Sequence, residues 1–219
     1  MRSFDIETIP DEAMIGQLPE PEVATGAMKD PEKIEAKRME AKKKQIDKMG
    51  LNPFWGRVCS FSFYSNDISF VRTIPEISDA AEIELINELM ENLRIGQPEP
   101  NEIITWNGYG FDFPYIYKRA AILRIPLPRN CPPLRYWLRK YEHEPHCDLM
   151  QELAGWNIEN RGSLDSAACR LIGEQKTKRD YSTYVELIKA AKGELIGLDN
   201  LCDAELTFKL HERLSPYLF

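Results

Sequence analysis

The sequence predicts a mixed α/β fold in which five strands form one sheet flanked by helices. Two neighbouring segments with alternating hydrophobicity are joined by a short polar turn, which predicts an antiparallel hairpin. Further along, short apolar strands alternate with helical patterns. Hydrophobic residues make up 43% of the 219 residues, enough for one sizeable core. We therefore expect a single domain over residues 1–219, with residues 11–50 as an irregular and helical insertion after the first strand.

The N-terminal elements follow from capping signals. Residues 2–6 read as a short buried strand, stopped by Pro10. After an irregular segment, Asp30-Pro31-Glu32 places a helix N-cap, a proline and an acid in the first turn. We expect this helix to run to Met49, with Gly50 as its C-cap. Its sequence is mostly charged, which is typical of a projecting arm or of a helix over one edge of a domain.

The remaining elements are predicted from periodicity and from turn residues. In chain order they are strands at 57–64 and 67–74, a helix capped by Ser78 that reaches Leu93, a strand at 102–106, a helix at 114–123, a strand at 146–150, and largely helical structure from Leu164 with a basic loop at 176–179.

Composition limits the function classes. The net charge of −7 argues against bulk nucleic-acid binding, so contact with phosphates would come from local basic patches. Five cysteines are widely spaced, with no CxxC pair, as is typical of reduced core thiols in a cytoplasmic protein. The segment 143–147 lacks a second ligand pair for a structural zinc site. No stretch approaches the roughly 20 apolar residues that cross a bilayer, so we expect no membrane partner.

Two carboxylates in the first strand raise the central chemical question. Asp5 and Glu7 lie two positions apart, so a strand projects both from one face. Side by side in a half-buried setting they repel, unless one keeps its proton or a cation lies between them. The pair alone fits a solvated strand end or a metal site.

Two further segments carry acids where a sheet would bring them near. Asn107-Gly108 supplies a tight turn directly after a strand, and Asp112 follows near the carboxyl end of the sheet. Near the C-terminus, Asp203 lies on or beside the apolar face of a helix that would pack on the sheet.

With the motifs FDIET and NGYGFDFP, and a helical Asp followed by Thr-Phe, the chain resembles the DEDD superfamily of 3′–5′ exonucleases, which have an RNase H-like fold. The likeness is greatest to predicted exonucleases related to the proofreading domain of family B DNA polymerases, frequent in phages and bacteria. The segments KDPEKIEAK, LNPFWGRVCSF and RGSLDSAACRLIGEQK also resemble that branch. The resemblance thus spans nearly the whole chain and implies one 3′–5′ exonuclease domain.

The resemblance implies a metal site with two divalent cations, Mg²⁺ or Mn²⁺. Asp5, Glu7, Asp112 and Asp203 match the four acidic ligands of the superfamily. Hard oxygen ligands favour these ions over zinc. One cation would activate the attacking water and the other would stabilise the leaving 3′ oxygen.

The chain departs from the superfamily at the third motif. Tyrosine-type members carry Tyr-x-x-x-Asp there, and Asp199 takes the tyrosine position. Leu198 at the other diagnostic position excludes the histidine type. Asp199 can orient the attacking water or act as a fifth carboxylate ligand, and Tyr181 or Tyr184 can supply a phenol from the preceding loop. These alternatives stay open.

Candidate substrate contacts flank the acidic motifs. Lys176, Lys178 and Arg179 either hold the substrate backbone or form a solvated loop. Asn107 either fixes the turn or contacts the terminal nucleotide. Asp148 is expected to cap the next helix rather than to bind metal, and His211 to lie on the surface. The aromatic or polar candidates for contact with the terminal nucleotide are Thr8, Tyr109 and Phe113.

The expected function is a stand-alone, metal-dependent 3′–5′ exodeoxyribonuclease acting on single-stranded DNA or frayed 3′ ends, in proofreading, repair or replication. A separate DNA polymerase or another replication protein is a possible partner, and the compartment would be the cytoplasm, of the host if the gene is phage-encoded. There are two alternatives. The first is a 3′–5′ exoribonuclease, because the same four carboxylates serve DNA and RNA and the sequence does not identify residues that select against a ribose 2′-hydroxyl. The second is a catalytically weakened module that binds 3′ ends or a replication protein. The intact acidic quartet weighs against the second.

Overall fold

A computed structural model describes residues 1–24, 30–94, 102–142, 144–177 and 179–218. Lys178 and His143 lie outside the described residues. None of the helices within these ranges is long and apolar enough to cross a membrane.

One mixed five-stranded sheet organises the fold, in the spatial order β3-β2-β1-β4-β5. The first three strands form an antiparallel meander, and β4 and β5 run parallel to β1. This confirms the predicted mixed sheet. The strands are β1 (Arg2–Pro10), β2 (Gly56–Tyr64), β3 (Ser69–Thr73), β4 (Ile103–Thr105) and β5 (His146–Asp148).

Helices lie in the connections from β1 to β2, from β3 to β4 and from β4 to β5, and they form the chain after β5. They are α1 (Pro31–Asp47), α2 (Asp79–Asn92), α3 (Asp112–Ile122), α4 (Leu134–Trp137), α5 (Leu149–Ala154), α6 (Leu164–Leu171), α7 (Tyr184–Lys189) and α8 (Glu194–Leu218).

Both faces of the sheet are covered, which explains why β1 and β2 are buried almost throughout rather than alternately. One hydrophobic cluster joins Phe4 and Phe61 of the meander to α2 and α3. A second cluster joins Ile104 of β4 to Leu206 and Leu210 of α8. The site described below lies on the α8 side.

The first strand is longer than predicted. It continues through Thr8 and Ile9 to Pro10, because β2 pairs with it as far as Gly56. A register shift between Glu7 and Thr8 marks an irregularity in that pairing. Asp5 and Glu7 therefore lie in the middle of a paired strand and not at a solvated strand end.

The charged helix α1 ends earlier than predicted. It stops at Asp47, and a 3-10 turn over Met49–Leu51 follows, so Gly50 is not its C-cap. Gly50 instead packs on β1, where an added Cβ would lie 3.3 Å from the carbonyl carbon of Ile9. No residue of α1 is buried.

Three other predictions change locally. The fifth strand ends at Asp148, which caps α5 as expected, so Leu149 and Met150 are helical. Helix α3 starts at Asp112 instead of residue 114. His211 was predicted at the surface, but it is buried because its face of α8 packs inward.

The cysteines divide by position in the fold. Cys59, Cys131 and Cys147 are buried, in agreement with their prediction as core residues. Cys169 is exposed and Cys202 is half-buried, so these two are not core residues.

Candidate functional site

An acidic cluster forms where β1 meets α8. Asp5 and Glu7 project from one face of β1 toward Asp203 on α8, and one ligand oxygen from each lies within 4.8 Å of the others. Glu7 and Asp203 are buried and Asp5 is half-buried. Residues almost two hundred positions apart in the sequence thus form one group of carboxylates.

Small polar side chains bring α8 close to the sheet. The hydroxyl of Ser3 donates to the backbone carbonyl of Ala204 at 2.6 Å, and that of Ser62 donates to the carbonyl of Asn200 at 3.0 Å. The side-chain amide of Asn200 in turn donates to Asp5 Oδ2 at 2.7 Å. These bonds fix both the distance between helix and strand and the orientation of the Asp5 carboxylate.

Asp112 joins this region from the other side of the sheet edge. It is the first residue of α3, and its Oδ1 accepts a hydrogen bond from the backbone N–H of Ile6 at 3.1 Å. Ile6 lies between Asp5 and Glu7, so the bond ties Asp112 to the strand that carries the pair. Asp112 is buried and lines the same cleft as the three clustered carboxylates.

Crowding and burial favour the protonated forms. Burial is the main cause that raises the pKa of Glu7 to about 8 and that of Asp112 to about 7. Burial, followed by the charge of Asp112, raises the pKa of Asp5 well above its ordinary value. Burial also raises the pKa of Asp203. Without a bound metal ion, the four carboxyl groups therefore tend to keep their protons, and a bound cation would favour their ionised forms.

Lys176 supplies one cation. Its ammonium group pairs with Asp203 Oδ2 and also donates to the phenol oxygen of Tyr181 at 3.2 Å. Its backbone N–H donates to Asp165 Oδ1 at 2.9 Å, which holds the loop against the first turn of α6. Lys176 thus neutralises part of the cluster and places a positive charge at its edge.

The donor set fits hard divalent cations. Every clustered ligand atom is a carboxylate oxygen, the donor that Mg²⁺ and Mn²⁺ prefer. Asp203 Oδ1 is buried and has no hydrogen-bond partner, which costs free energy unless a cation or water occupies it.

Asp199 lies one helical turn before Asp203 and is held differently. Its Oδ2 accepts from Arg179 Nε at 2.5 Å and from the phenol of Tyr184 at 3.2 Å, while its Oδ1 has no partner. Tyr184 is fully buried. The Asp199 carboxylate does not line the cleft. It forms an ion pair with the guanidinium of Arg179. Tyr181, in contrast, is 53% exposed and lines the cleft.

The turn between β4 and α3 is locked to β5. Asn107 adopts φ +73°, the left-handed region that Asn tolerates, and the N–H groups of Asn107 and Tyr109 donate to the two oxygens of Asp148 at 3.0 and 2.9 Å. Gly108 donates to the hydroxyl of Thr105 at 3.0 Å. Asp148 is therefore a structural anchor as well as a helix cap.

A histidine completes that anchor. His146 is buried, and burial lowers its pKa to about 4, so its ring is neutral. Its Nδ1–H donates to the carbonyl of Trp137 at 2.7 Å, and its Nε2 accepts from Thr105 at 2.8 Å. With both nitrogens used, His146 is not free to bind metal.

The acidic residues and Lys176 line a cleft of about 900 Å³. The predicted site residues that line it are Asp5, Glu7, Thr8, Asn107, Asp112, Lys176 and Asp203. Phe113 is a core residue instead, because its ring stacks on Trp137 with centroids 4.9 Å apart. Tyr109 points to a neighbouring aromatic cluster that includes Trp156.

The cleft is also lined by side chains that the sequence analysis did not place there, among them Trp106, Phe111 and Lys43. Trp106 and Phe111 flank the Asn107 turn, and Lys43 reaches the cleft from α1. The position of Trp106 at the strand end, directly before Asn107, was a readable signal. Nothing in the sequence indicates that α1 lies beside the acidic residues.

Known proteins resemble this chain over most of its length. A family model described as a predicted 3′–5′ exonuclease related to the exonuclease domain of PolB matches residues 52–205. That range contains Asp112, Asp199 and Asp203, whereas Asp5 and Glu7 precede it.

Archaeal polymerases are among the curated relatives. DNA polymerase 1 of Pyrococcus abyssi is 27% identical over 170 residues, covering 69% of this chain and 20% of the polymerase. The DNA polymerase of Pyrococcus glycovorans is 24% identical over 168 residues, with 68% and 20% covered. The chain therefore corresponds to about a fifth of these relatives.

A solved structure shows the same fold. The family B DNA polymerase from the hyperthermophilic archaeon Pyrobaculum calidifontis superposes with a TM-score of 0.57 at 18% identity. The superposition covers 98% of this chain and 24% of that polymerase.

Proposed function

The chain belongs to the family of predicted 3′–5′ exonucleases related to the exonuclease domain of PolB, and from this membership and its RNase H-like fold we propose that it is a metal-dependent 3′–5′ exodeoxyribonuclease. The observation that carries the proposal is the approach of Asp5, Glu7 and Asp203 to within 4.8 Å inside a cleft that Asp112 also lines. Such a cluster is unfavourable without cations and accommodates them readily.

The four carboxylates would hold two divalent cations, Mg²⁺ or Mn²⁺. When bound, such cations lower the pKa of a water molecule and stabilise the leaving oxygen of a phosphodiester. The unpartnered Asp203 Oδ1 and the raised pKa of Glu7 support this assignment.

The chain's own residues prepare the site. The Asn200 amide orients Asp5, and the Ile6 N–H orients Asp112, so both carboxylates are fixed before substrate arrives. Lys176 offers a positive charge to a substrate phosphate at the edge of the cluster. Thr8 and Asn107 line the space for the terminal nucleotide. None of these contacts depends on the identity of the base, which suits a nuclease that accepts any 3′ end.

Two residues, Asp199 and Tyr181, divide the role of the tyrosine that the third motif lacks. Asp199 acts as a positioning residue that holds Arg179 and Tyr184 behind the cluster. Tyr181 supplies the phenol that faces the cleft, oriented by the ammonium of Lys176. A neutral phenol can donate a hydrogen bond to an attacking water, which an ionised Asp199 cannot.

Single-stranded DNA is the proposed substrate, in proofreading, repair or replication. Because the relatives are DNA polymerases, a DNA polymerase that supplies frayed 3′ ends is the proposed partner. An RNA substrate is the alternative that the test must address.

The test uses a 5′-labelled single-stranded DNA, a matched RNA, and either Mg²⁺ or Mn²⁺. We expect a ladder that shortens from the 3′ end of DNA and disappears in Asp5→Ala. Tyr181→Phe should slow the reaction by about 10²-fold or more, as loss of a proton-transfer group does. The matched Tyr184→Phe should retain most activity. Intact DNA and RNA in both metals would contradict the proposal, and degradation of RNA alone would replace it with exoribonuclease activity.

A further inference from the structure

An aromatic cluster lies at the same end of the sheet as the acidic cleft. The rings of Tyr109 and Tyr141 each meet Trp156 edge-on, with centroids 5.1 and 5.2 Å apart. The ammonium of Lys140 lies 4.7 Å from the Tyr141 ring centroid and 5.9 Å from that of Trp156. We call these four residues the aromatic platform.

The platform is joined to the cleft by a rigid turn. Tyr109 is two residues after Asn107, which lines the cleft, so their Cα atoms are at most about 7 Å apart. Asp148 binds the backbone N–H groups of both residues. A strand that leaves the cleft past Asn107 therefore reaches Tyr109 first.

The aromatic platform is partly exposed to solvent. Tyr141 is 65% exposed, and Tyr109 and Trp156 are half-buried. Tyr141 and Trp156 also adopt φ +66° and φ +59°, a left-handed backbone that bulky residues rarely take. Such backbone outliers are concentrated at binding and catalytic sites, since stability alone does not favour them.

The segment of the sequence that leads into Lys140 and Tyr141 is strongly basic. Residues 113–141 contain seven Lys and Arg and no Asp or Glu, although the whole chain carries a net charge of −7. Within the described structure, the exposed members of this set that make no ion pair with a carboxylate are Lys118, Arg124, Arg129, Arg135 and Lys140. The segment that supplies Lys140 and Tyr141 is thus complementary in charge to a polyanion.

We propose that the aromatic platform binds single-stranded nucleic acid on the 5′ side of the nucleotide in the cleft. Bases stack on Tyr141 and Trp156, and Lys140 neutralises the phosphates between them. Aromatic faces with an adjacent cation bind single strands without sequence preference, which suits an enzyme that shortens any strand. The direction of the strand rests on the proposed function, whereas the platform itself does not.

Binding is measured with chelator present, so that no strand is degraded. Fluorescence anisotropy follows a labelled single strand of about 12 nucleotides, long enough to span cleft and platform. We expect Tyr141→Ala and Trp156→Ala each to raise the dissociation constant about tenfold or more, and Tyr141→Phe to raise it little. The matched control is Tyr217→Ala, which removes another exposed tyrosine with an arginine over its ring.

Two substrates separate this inference from the proposed function. The p-nitrophenyl ester of thymidine 5′-phosphate fits the cleft alone, so Tyr141→Ala should hydrolyse it as wild type does, while KM for the long strand rises. If wild type cleaves both substrates and Tyr141→Ala binds the long strand unchanged, the platform is not a nucleic-acid site and the inference is overturned. If wild type cleaves neither, yet Tyr141→Ala weakens strand binding, the inference stands and the proposed function fails.

Discussion

At the scale of single residues, neighbouring side chains fix the orientation of each carboxylate in the cluster. The amide of Asn200 donates to Asp5 Oδ2, and it does so from a fully buried position on α8. Asn200 touches no substrate in this account, so its effect is exerted through a metal ligand. Partners of this kind fix ligand orientation and raise affinity for the ion.

Asn200→Ala should therefore weaken Mn²⁺ binding by about 10–100-fold, the usual cost of removing an outer partner of a ligand. Calorimetric titration of the purified protein measures this directly. Asn92→Ala is the matched control, because it also removes an amide bonded within the protein, to the Glu88 carbonyl at 2.8 Å, but far from the cluster. Equal affinities in wild type and Asn200→Ala would contradict the role given to Asn200.

Stability should also respond to pH in a definite direction. The pKa values of Glu7 and Asp112 rise from 4.5 and 3.8 to about 8 and about 7, so the metal-free native state binds more protons than the unfolded state between those values. The free energy of unfolding therefore falls as pH rises through this window.

Urea unfolding in chelator should show a loss of at least about 2 kcal/mol between about pH 5 and about pH 8, given 1.36 kcal/mol per unit of pKa shift. Added Mn²⁺ should restore stability at the upper pH, because it replaces the protons. Glu7→Gln should reduce the slope. A metal-free protein whose stability rises through this window would show that the carboxylates are not crowded as described.

At the scale of elements, the turn from β4 into α3 sets the position of Asp112. Gly108 has no room for a side chain, because an added Cβ would lie 2.3 Å from Thr105 Oγ1 and 2.6 Å from Thr105 Cβ. The Thr105 hydroxyl in turn bonds His146 of the adjacent strand. The turn is thus defined by close packing on two strands.

Gly108→Ala should displace this turn, at a cost of about 1–3 kcal/mol in folding free energy, as overpacking usually does. Because the turn precedes Asp112, we expect kcat to fall about 100-fold, the effect of a misplacement of roughly 1 Å. Gly162→Ala is the matched control, since nothing lies within 4 Å of its added Cβ. Full activity in Gly108→Ala would separate the turn from the site.

At the scale of the whole molecule, one buried acid connects three elements on the face of the sheet away from the cleft. Glu82 of α2 has no exposed surface and accepts from the backbone N–H of Val58 at 3.0 Å. Arg119 of α3 donates to it twice, at 2.8 and 2.6 Å, and Arg57 of β2 pairs with it at 3.4 Å.

Glu82→Ala leaves Arg119 without its buried carboxylate, whereas Arg57 keeps its ion pairs with Asp11 and Asp79. The unpaired Arg119 should cost about 3–5 kcal/mol of folding free energy. Denaturant unfolding measures this loss, and metal affinity of the remaining folded protein should be unchanged. Glu88→Ala removes only an exposed partner of Arg72 and should cost less than about 1 kcal/mol. Comparable losses in the two variants would mean that Glu82 does not connect the layers.

Much of this architecture could be read from sequence because it depends on local signals. Alternation and turn residues predicted the five strands, and Ser78 was correctly identified as the cap of α2. The core position of Phe113 was missed because α3 starts two residues earlier than predicted, at Asp112, so that Phe113 lies inside the helix on its buried face. The start was hidden because Phe111, the N-cap, makes no side-chain capping bond.

Contacts between residues far apart in the sequence could not be predicted, for a different reason. The partnership of Asp199 with Arg179 joins a helix to a loop, and the aromatic platform joins segments near 109, 141 and 156. Periodicity carries no information on such contacts. The absence of acids from residues 113–141, in contrast, is visible in the sequence, although the sequence analysis placed its candidate phosphate contacts at 176–179 instead.

Whether the carboxylate cluster removes nucleotides from 3′ ends is measured most directly by the release of a labelled 3′-terminal nucleotide from single-stranded DNA as Mn²⁺ is added. We predict that wild type releases the label as a mononucleotide only with the ion present, that Asp203→Asn does so at least about 100-fold more slowly, and that Asp67→Asn, which removes an exposed carboxylate in the β2–β3 turn, matches wild type. Release that is equal in Asp203→Asn and wild type, or no release from wild type at any Mn²⁺ concentration, would contradict the account.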